Sequence, residues 1–244
     1  MFSNKAPGYD RVSALVLKDS LPVILPSITS IMNYSFYTGT FVRAWKIAEV
    51  TPILKSGNSE DPSNNRPISP LAILSKVSER LANGKFVDYF TANKILAKTE
   101  SGDQKLYSTE TAVLCATDEL LQAIDDKKIS ALVLLNMSKA FDSIRHDILL
   151  QKLQALGVSF SCRYSFHSYL VGCSQRVRIH DAISLMLSLK YGVLQGSILG
   201  PAMFTIYVND LLSVPTYCKS ACYVDDSKLY LSFPSSDMST AIHN

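Results

Sequence analysis

Residues Met1 to Asp10 contain no apolar h-region, so no signal peptide is expected. The sequence has no internal repeat and no low-complexity tract, which excludes solenoid and disordered classes. Among the five cysteines, Cys115, Cys162, Cys173, Cys218 and Cys222, no pair has zinc-finger spacing, and an odd count argues against a disulfide framework. Cys218 and Cys222 are expected to be buried thiols in a reducing compartment. Clean apolar runs of membrane length are also missing. The most apolar early stretch, Val12 to Met32, is broken by Lys18, Asp19, Pro22 and Pro26, and is not expected to span a bilayer as a clean helix. The expectation is a soluble, intracellular protein with no membrane partner, nucleus and cytoplasm being indistinguishable. The net charge of +3 permits nucleic-acid binding without establishing it. With 244 residues, 47% hydrophobic and 18% charged, the chain is globular and long enough for one large domain or two small lobes.

Hydrophobic spacing predicts helices over Pro22 to Tyr37, Leu71 to Phe90 (with Leu74, Val77 and Leu81 in one stripe), Ser108 to Asp126, Asp147 to Leu156 and Pro201 to Leu212. The third carries Ala112, Ala116, Leu120 and Ile124 at four-residue spacing, and Gly157 stops the fourth. Ala48 to Leu54 and Gln175 to Ile179 read as strands, separated from their neighbours by turn-rich segments such as Ser56 to Asn65. Ile129 to Met137 is almost wholly apolar and reads as a central strand. Lys219 to Tyr223 and Lys228 to Phe233 flank Val224-Asp225-Asp226-Ser227, a hairpin with two acids at its tip. The order predicts an α+β domain with helices packed on one face of an antiparallel sheet.

Asp225 and Asp226 are the first candidates for chemistry. Adjacent carboxylates between apolar strands repel, and a divalent cation offsets that repulsion. On these two residues alone, a solvated turn and a metal site both stay open. Two-metal chemistry requires a second acidic locus at the end of another central strand. The run Leu134-Leu135-Asn136-Met137-Ser138-Lys139-Ala140-Phe141-Asp142 stands at that place.

This last run resembles the Asp-x-Ser-x-Ala-Phe-Asp strand end of reverse transcriptases from non-LTR, LINE-type retrotransposons. Gly192-Val193-Leu194-Gln195-Gly196-Ser197-Ile198-Leu199-Gly200-Pro201, followed by Tyr207-Val208-Asn209-Asp210-Leu211, is similar to their loop and helix. Tyr223-Val224-Asp225-Asp226 is similar to their aromatic-x-Asp-Asp hairpin. Earlier segments agree: Lys5-Ala6-Pro7-Gly8-Tyr9-Asp10, Trp45-Lys46 with Val50-Thr51-Pro52-Ile53-Leu54-Lys55, Asn65-Arg66-Pro67-Ile68-Ser69 and Ser108-Thr109-Glu110-Thr111-Ala112. The matches run in order over nearly the whole chain.

The resemblance implies an RNA-directed DNA polymerase with a right-hand palm and a fingers subdomain. On this reading residues 1–244 form a single reverse transcriptase domain fragment. Residues 1–128 are approximately the fingers with the palm entry, residues 129–244 are palm, and the thumb and endonuclease are missing. It further implies two Mg²⁺ ions (Mn²⁺ being possible), an RNA template, a DNA primer and deoxynucleoside triphosphates. Asp225 and Asp226 would hold metal. Lys55 and Arg66 would contact the incoming triphosphate, Phe141 would lie beneath the sugar, and Gln195 and Gly196 would shape the nucleotide pocket. Asp142 and Asp210 match family positions with structural roles, and Asp10 is expected to be a turn residue.

Three departures stand out. Asn136 occupies the place of the family's first catalytic aspartate, replacing an anionic ligand by a neutral amide. Glu100-Ser101-Gly102-Asp103-Gln104 stands where Gln-Ser-Gly-Phe-Arg is usual, and Asn65 replaces a tyrosine. These departures and the chain's early stop imply an impaired polymerase, the alternative being a non-catalytic nucleic-acid-binding remnant.

Overall fold

The computed structural model describes residues 6–95, 109–137, 139–223 and 226–237. The expected segments around Lys5, Glu100 to Gln104, Ser108, Ser138, Val224 and Asp225 lie outside the described residues. In chain order the elements are α1 (Ala14–Thr38), β1 (Ile47–Leu54), β2 (Asn65–Ile68), α2 (Ile73–Ala92), α3 (Thr109–Asp125), β3 (Lys128–Asn136) and α4 (His146–Ala155). They continue with α5 (Phe160–Leu170), β4 (Ser174–Ile179), β5 (Ala182–Ile183), β6 (Leu187–Ser188), α6 (Gly200–Val208), β7 (Lys219–Tyr223) and β8 (Asp226–Pro234). The fold is α+β. The chain forms two compact units, one of Met1–Lys85 with Phe141–Gly200, the other of Phe86–Ala140 with Pro201–Asn244.

In the first unit, α1 starts eight residues before its expected beginning. Ser13 caps it, its Oγ accepting from the Val16 N–H at 3.2 Å. The helix runs unbroken through Pro22 and Pro26, contrary to the expected interruption. The prolines are four residues apart and therefore on one face, and that face is exposed, so the carbonyls they leave without an N–H partner turn to water. By length and apolar composition alone α1 could cross a membrane. Its Ala14 and Leu17 nevertheless pack with Ile73, and its Met32 with Trp45 and Ala72, in the cores of this unit.

The sheet of this unit is mixed, whereas the expected antiparallel sheet is that of the second unit. β1 pairs antiparallel with β2, Ile53 standing opposite Arg66. On its other side β1 pairs parallel with β4, Glu49 standing opposite Arg176. A parallel pair needs a long crossover, and no local sequence pattern announces it. β5 and β6 are short antiparallel additions to β4. Helix α5 was not anticipated. Ser159 caps it through the Cys162 N–H at 3.4 Å, but its serines and aromatics form no single apolar stripe. In α2 the expected stripe residues Leu74 and Val77 pack against the core while Leu81 is half exposed, and the buried residues include Ser75, Ser78 and Glu79.

The second unit has a three-stranded antiparallel sheet in the order β3-β8-β7. Among the described residues β3 therefore lies at an edge, not at the centre as its apolar run suggested, and its Leu134 is 69% exposed. Edge strands usually carry charge, which is why an uncharged run was read as central. Helix α3 lies against the sheet face that bears Lys219 and Tyr230. Its Glu119 accepts from Lys219 Nζ at 3.0 Å, and burial together with Glu119 pushes the Tyr230 hydroxyl well above the ordinary tyrosine range. Ala123 of α3 is buried while Ile124 is exposed, since strict four-residue spacing drifts off one face of a helix of about 3.6 residues per turn. Helix α6 ends at Val208, and a 3-10 turn at Leu211–Ser213 takes the place of its expected last turn. Cys222 is buried and Cys218 half-buried.

Candidate active site

Asp226 and its counterpart Asn136 lie in the second unit. Strands β3 and β8 pair from Lys128 opposite Pro234 to Asn136 opposite Asp226, while Asp226 also stands opposite Tyr223 of β7. Directly opposed residues of an antiparallel pair point to the same face, about 4.5–5.5 Å apart at Cβ. Asn136 and Asp226 are thus neighbours at one end of the sheet, and both are exposed. Asp226 belongs to the strand ladder and not to a four-residue tip. Asp225 lies outside the described residues.

The described donors are one carboxylate and one amide carbonyl. Oxygen ligands of this kind suit a hard divalent cation. In type they fit Mg²⁺, with one negative charge fewer than two carboxylates would supply. Among the described residues no group of three or more His, Cys, Asp or Glu side chains is gathered for a metal.

The expected nucleotide-contacting residues lie in the first unit. Lys55 follows β1 and its N–H donates to the Asn64 carbonyl at 2.8 Å, extending the β1–β2 hairpin. Two-residue alternation puts Lys55 on the same face as Ile53, and hence as Arg66 opposite it. Both cations are exposed. The connecting loop is held by its own side chains: Asp61 accepts from the Ser63 N–H and hydroxyl at 2.9 and 2.8 Å, and Asn64 Nδ2 donates to the Asn58 carbonyl at 3.0 Å. The bonds from Ser63 lower the Asp61 carboxyl below the ordinary range. Asn65, the residue that departs from the family pattern, donates to the carbonyls of Ser59 and Asp61 at 2.9 and 3.0 Å. In this chain the departure fastens the loop.

Gln195 and Gly196 sit beside the end of β2. The Ser69 N–H donates to the Gln195 carbonyl at 3.2 Å, and a Cβ on Gly196 would fall 2.6 Å from the Ser69 carbonyl oxygen. Gly196 also has φ of +109°, a backbone that side chains rarely adopt. Phe141 is half-buried in the 3-10 turn Ala140–Asp142, and its carbonyl accepts from the Val193 N–H at 3.0 Å. The adjacent Gly192 is equally confined, for its Cβ would lie 2.7 Å from that same carbonyl oxygen. His146 bonds the Gly192 carbonyl through Nε2 at 2.7 Å. Asp10 is a turn residue as expected, accepting from the Val12 N–H at 3.2 Å.

Sequence reasoning missed the residue that organises the segment before α6. Glu79 is buried, and its Oε2 accepts from the Ser197 hydroxyl at 2.9 Å and the N–H groups of Ile198 and Leu199 at 2.6 and 3.3 Å. The Tyr169 hydroxyl bonds Ser197 Oγ at 2.6 Å, and its own ionisation is pushed well up by burial and by Glu79. A carboxylate at a helix N-terminus satisfies its leading N–H groups and its dipole. Nothing in the sequence of α2, which also carries Lys76, Arg80, Lys85 and Asp88, singles out Glu79. Likewise Lys46, part of a recognised motif, acts structurally, since its Nζ donates to the carbonyls of Ser168 and Val171 at the end of α5.

The family described as reverse transcriptase (RNA-dependent DNA polymerase) matches residues 53–243. The chain belongs to this family. Within it, the chain is 34% identical over 239 residues to a probable RNA-directed DNA polymerase from transposon BS of Drosophila melanogaster, covering 93% of this chain and 26% of that protein. It is 33% identical to a probable RNA-directed DNA polymerase from transposon X-element of the same fly, covering 92% of this chain and 25% of that protein. The chain thus spans about a quarter of the length of these curated relatives. The structure of apo telomerase from Candida tropicalis, truncated from its C-terminal domain, superposes with a TM-score of 0.55 at 13% identity, over 90% of this chain and 51% of that one. This likeness supports a right-hand polymerase fold for the reverse transcriptase chain.

Proposed function

We propose that this chain is the polymerase module of a LINE-type element, catalysing RNA-templated addition of deoxynucleotides to a DNA primer, and that Asn136 weakens it. What carries the reading is the family match over residues 53–243 together with the register that sets Asn136 opposite Asp226. Asp225, Asp226 and Asn136 would hold Mg²⁺, with Mn²⁺ as a substitute. Bound there, the cations would supply charge stabilisation for the attacking and leaving oxygens of an in-line displacement. Lys55 and Arg66 would bind the triphosphate and neutralise charge on the departing pyrophosphate. The Phe141 ring would pack under the sugar and disfavour a 2′-hydroxyl, while Gln195 and Gly196 would shape the base pocket. The module is read as soluble and intracellular, α1 being part of its packed fold.

Asn136 offers a carbonyl oxygen but no charge. Ligand charge governs hard-cation affinity, and losing one carboxylate is expected to cost on the order of 10³-fold in rate. The test is extension of a DNA primer on an RNA template in Mg²⁺, the unmodified chain beside Asn136→Asp. Weak or absent extension by the former and a gain of ~10²-fold or more in the latter is expected. Robust extension by the unmodified chain would refute the impairment. Nucleic-acid binding with no synthesis by either protein would favour a binding remnant.

A further inference from the structure

We propose that Arg11, Arg176 and Arg178, gathered on Glu49, form a site for backbone phosphates of a bound nucleic-acid strand. The inference rests on the polymerase reading and adds a contact region to it. All four residues belong to the first unit. Glu49 of β1 is 7% exposed and stands opposite Arg176 of β4. Its Oε1 accepts from Arg11 Nη2 at 2.6 Å and Arg178 Nε at 2.7 Å. Its Oε2 accepts from Arg176 Nε and Nη2 at 3.1 and 2.8 Å and from Arg178 Nη2 at 3.2 Å. One carboxylate has about four lone-pair sites, so this one is saturated.

Holding a buried acid requires far less than three guanidinium groups. The pairs Lys128–Asp126 and Lys219–Glu119 each join one cation to one acid. Around Glu49, three cations meet one acid, and Asp181, which acts on Arg178 through space, still leaves positive charge in excess. Like charges held this close repel, and a second anion would offset that repulsion. Each guanidinium presents several N–H donors in a planar fork that matches phosphate oxygens, and among the described residues Glu49 is the only hydrogen-bond acceptor these three engage.

Two further features point outward. Arg11 has its side chain 57% exposed and a left-handed backbone with φ of +58°, costing about 1 kcal/mol for a non-glycine residue. The Tyr9 ring lies 4.8 Å from the Arg176 guanidinium and fixes its plane. Arg176 and Arg178 alternate along β4, so the cations form a short row with Arg11 beside it, an arrangement suited to a polyanion. A single strand and a duplex offer the same phosphodiester chemistry.

The test measures binding of fluorescently labelled oligouridylate and of a labelled RNA–DNA hybrid to the full chain across a potassium chloride series. Arg11→Gln is compared with wild type and with Lys18→Gln, a control on exposed α1. A second variant, Glu49→Gln/Arg176→Gln/Arg178→Gln, removes the buried acid together with its two less exposed partners, so that only the exposed Arg11 stays charged. Arg11→Gln is expected to weaken binding several-fold at low salt. It should also reduce the steepness of log affinity against log salt by ~0.7 on the single strand or ~0.9 on the duplex. The probe that shows the drop identifies the strand bound, and Lys18→Gln should change neither. Wild-type slopes in both cluster variants, with wild-type melting temperatures, would overturn the proposal and leave the polymerase reading standing. Failure of the wild type to bind either probe would remove both.

Discussion

The β1–β2 hairpin presents cations, Lys55 and Arg66, on one face, and its loop is fastened by Asp61, Asn64 and Asn65. The β7–β8 hairpin brings an acid, Asp226, beside the neutral amide Asn136 at the end of β3. The first region keeps its charged residues, and its one departure from the family pattern adds hydrogen bonds. The second region sets one carboxylate opposite one neutral amide in an unbroken register. Strand pairing depends on the backbone and on side-chain packing, both of which an Asp-to-Asn change preserves. Metal affinity depends on ligand charge, which it does not preserve. On the proposed reading, the polymerase fold is therefore held while the reaction is weakened.

The contrast can be broken from the basic side. Gly196→Ala sets a Cβ 2.6 Å from the Ser69 carbonyl oxygen at a φ of +109°, so the backbone must shift. A loss of about 3 kcal/mol or more in denaturant unfolding is expected, and a stability within about 0.5 kcal/mol of wild type would show that the segment is not confined. Next in size, Lys55→Ala or Arg66→Ala should raise KM for the nucleotide about tenfold in the Asn136→Asp background, with little change in melting temperature. An unchanged KM in both would reduce them to solvated loop cations. The smallest effect concerns the anchoring of β1. Hydrogen bonds from Arg178 and Arg176 outweigh the opposing effect of burial and hold the Glu49 carboxyl at about 2, against an ordinary value of 4.5. A depressed carboxyl stabilises the fold above its unfolded value and loses that contribution as pH falls through the folded one. The melting temperature should thus decline between pH 4.5 and about 2, and less steeply in Glu49→Gln/Arg176→Gln/Arg178→Gln.

Much of this was legible in the residues. β4 follows local alternation, β1 an apolar β-branched run and the β7–β8 pair two runs flanking a turn, and the motif order identified the family. The parts that were not legible depend on long-range partners. Glu49 meets Arg176 through a parallel pairing that spans about half of the chain, and Glu79 of α2 meets Ser197 in the segment before α6. Nothing near either acid in sequence announces its partner. Pro22 read as the start of a helix because local rules do not reveal that it and Pro26 share an exposed face of a longer one. β3 read as a central strand because apolar composition reports a preference for burial and not a position within a sheet. The candidate nucleotide residues and acids were found through the resemblance, whereas periodicity alone left Asp225 and Asp226 open between a turn and a metal site.

The most direct test concerns the charge at position 136. Mn²⁺ binding, measured by titration calorimetry on the unmodified chain, on Asn136→Asp and on Asn136→Asp/Asp225→Asn, isolates the metal ligands from every other step. The account predicts that Asn136→Asp binds at least about tenfold more tightly than the unmodified chain, or ~1.4 kcal/mol, and that adding Asp225→Asn abolishes the gain. Equal affinities in all three proteins would contradict it.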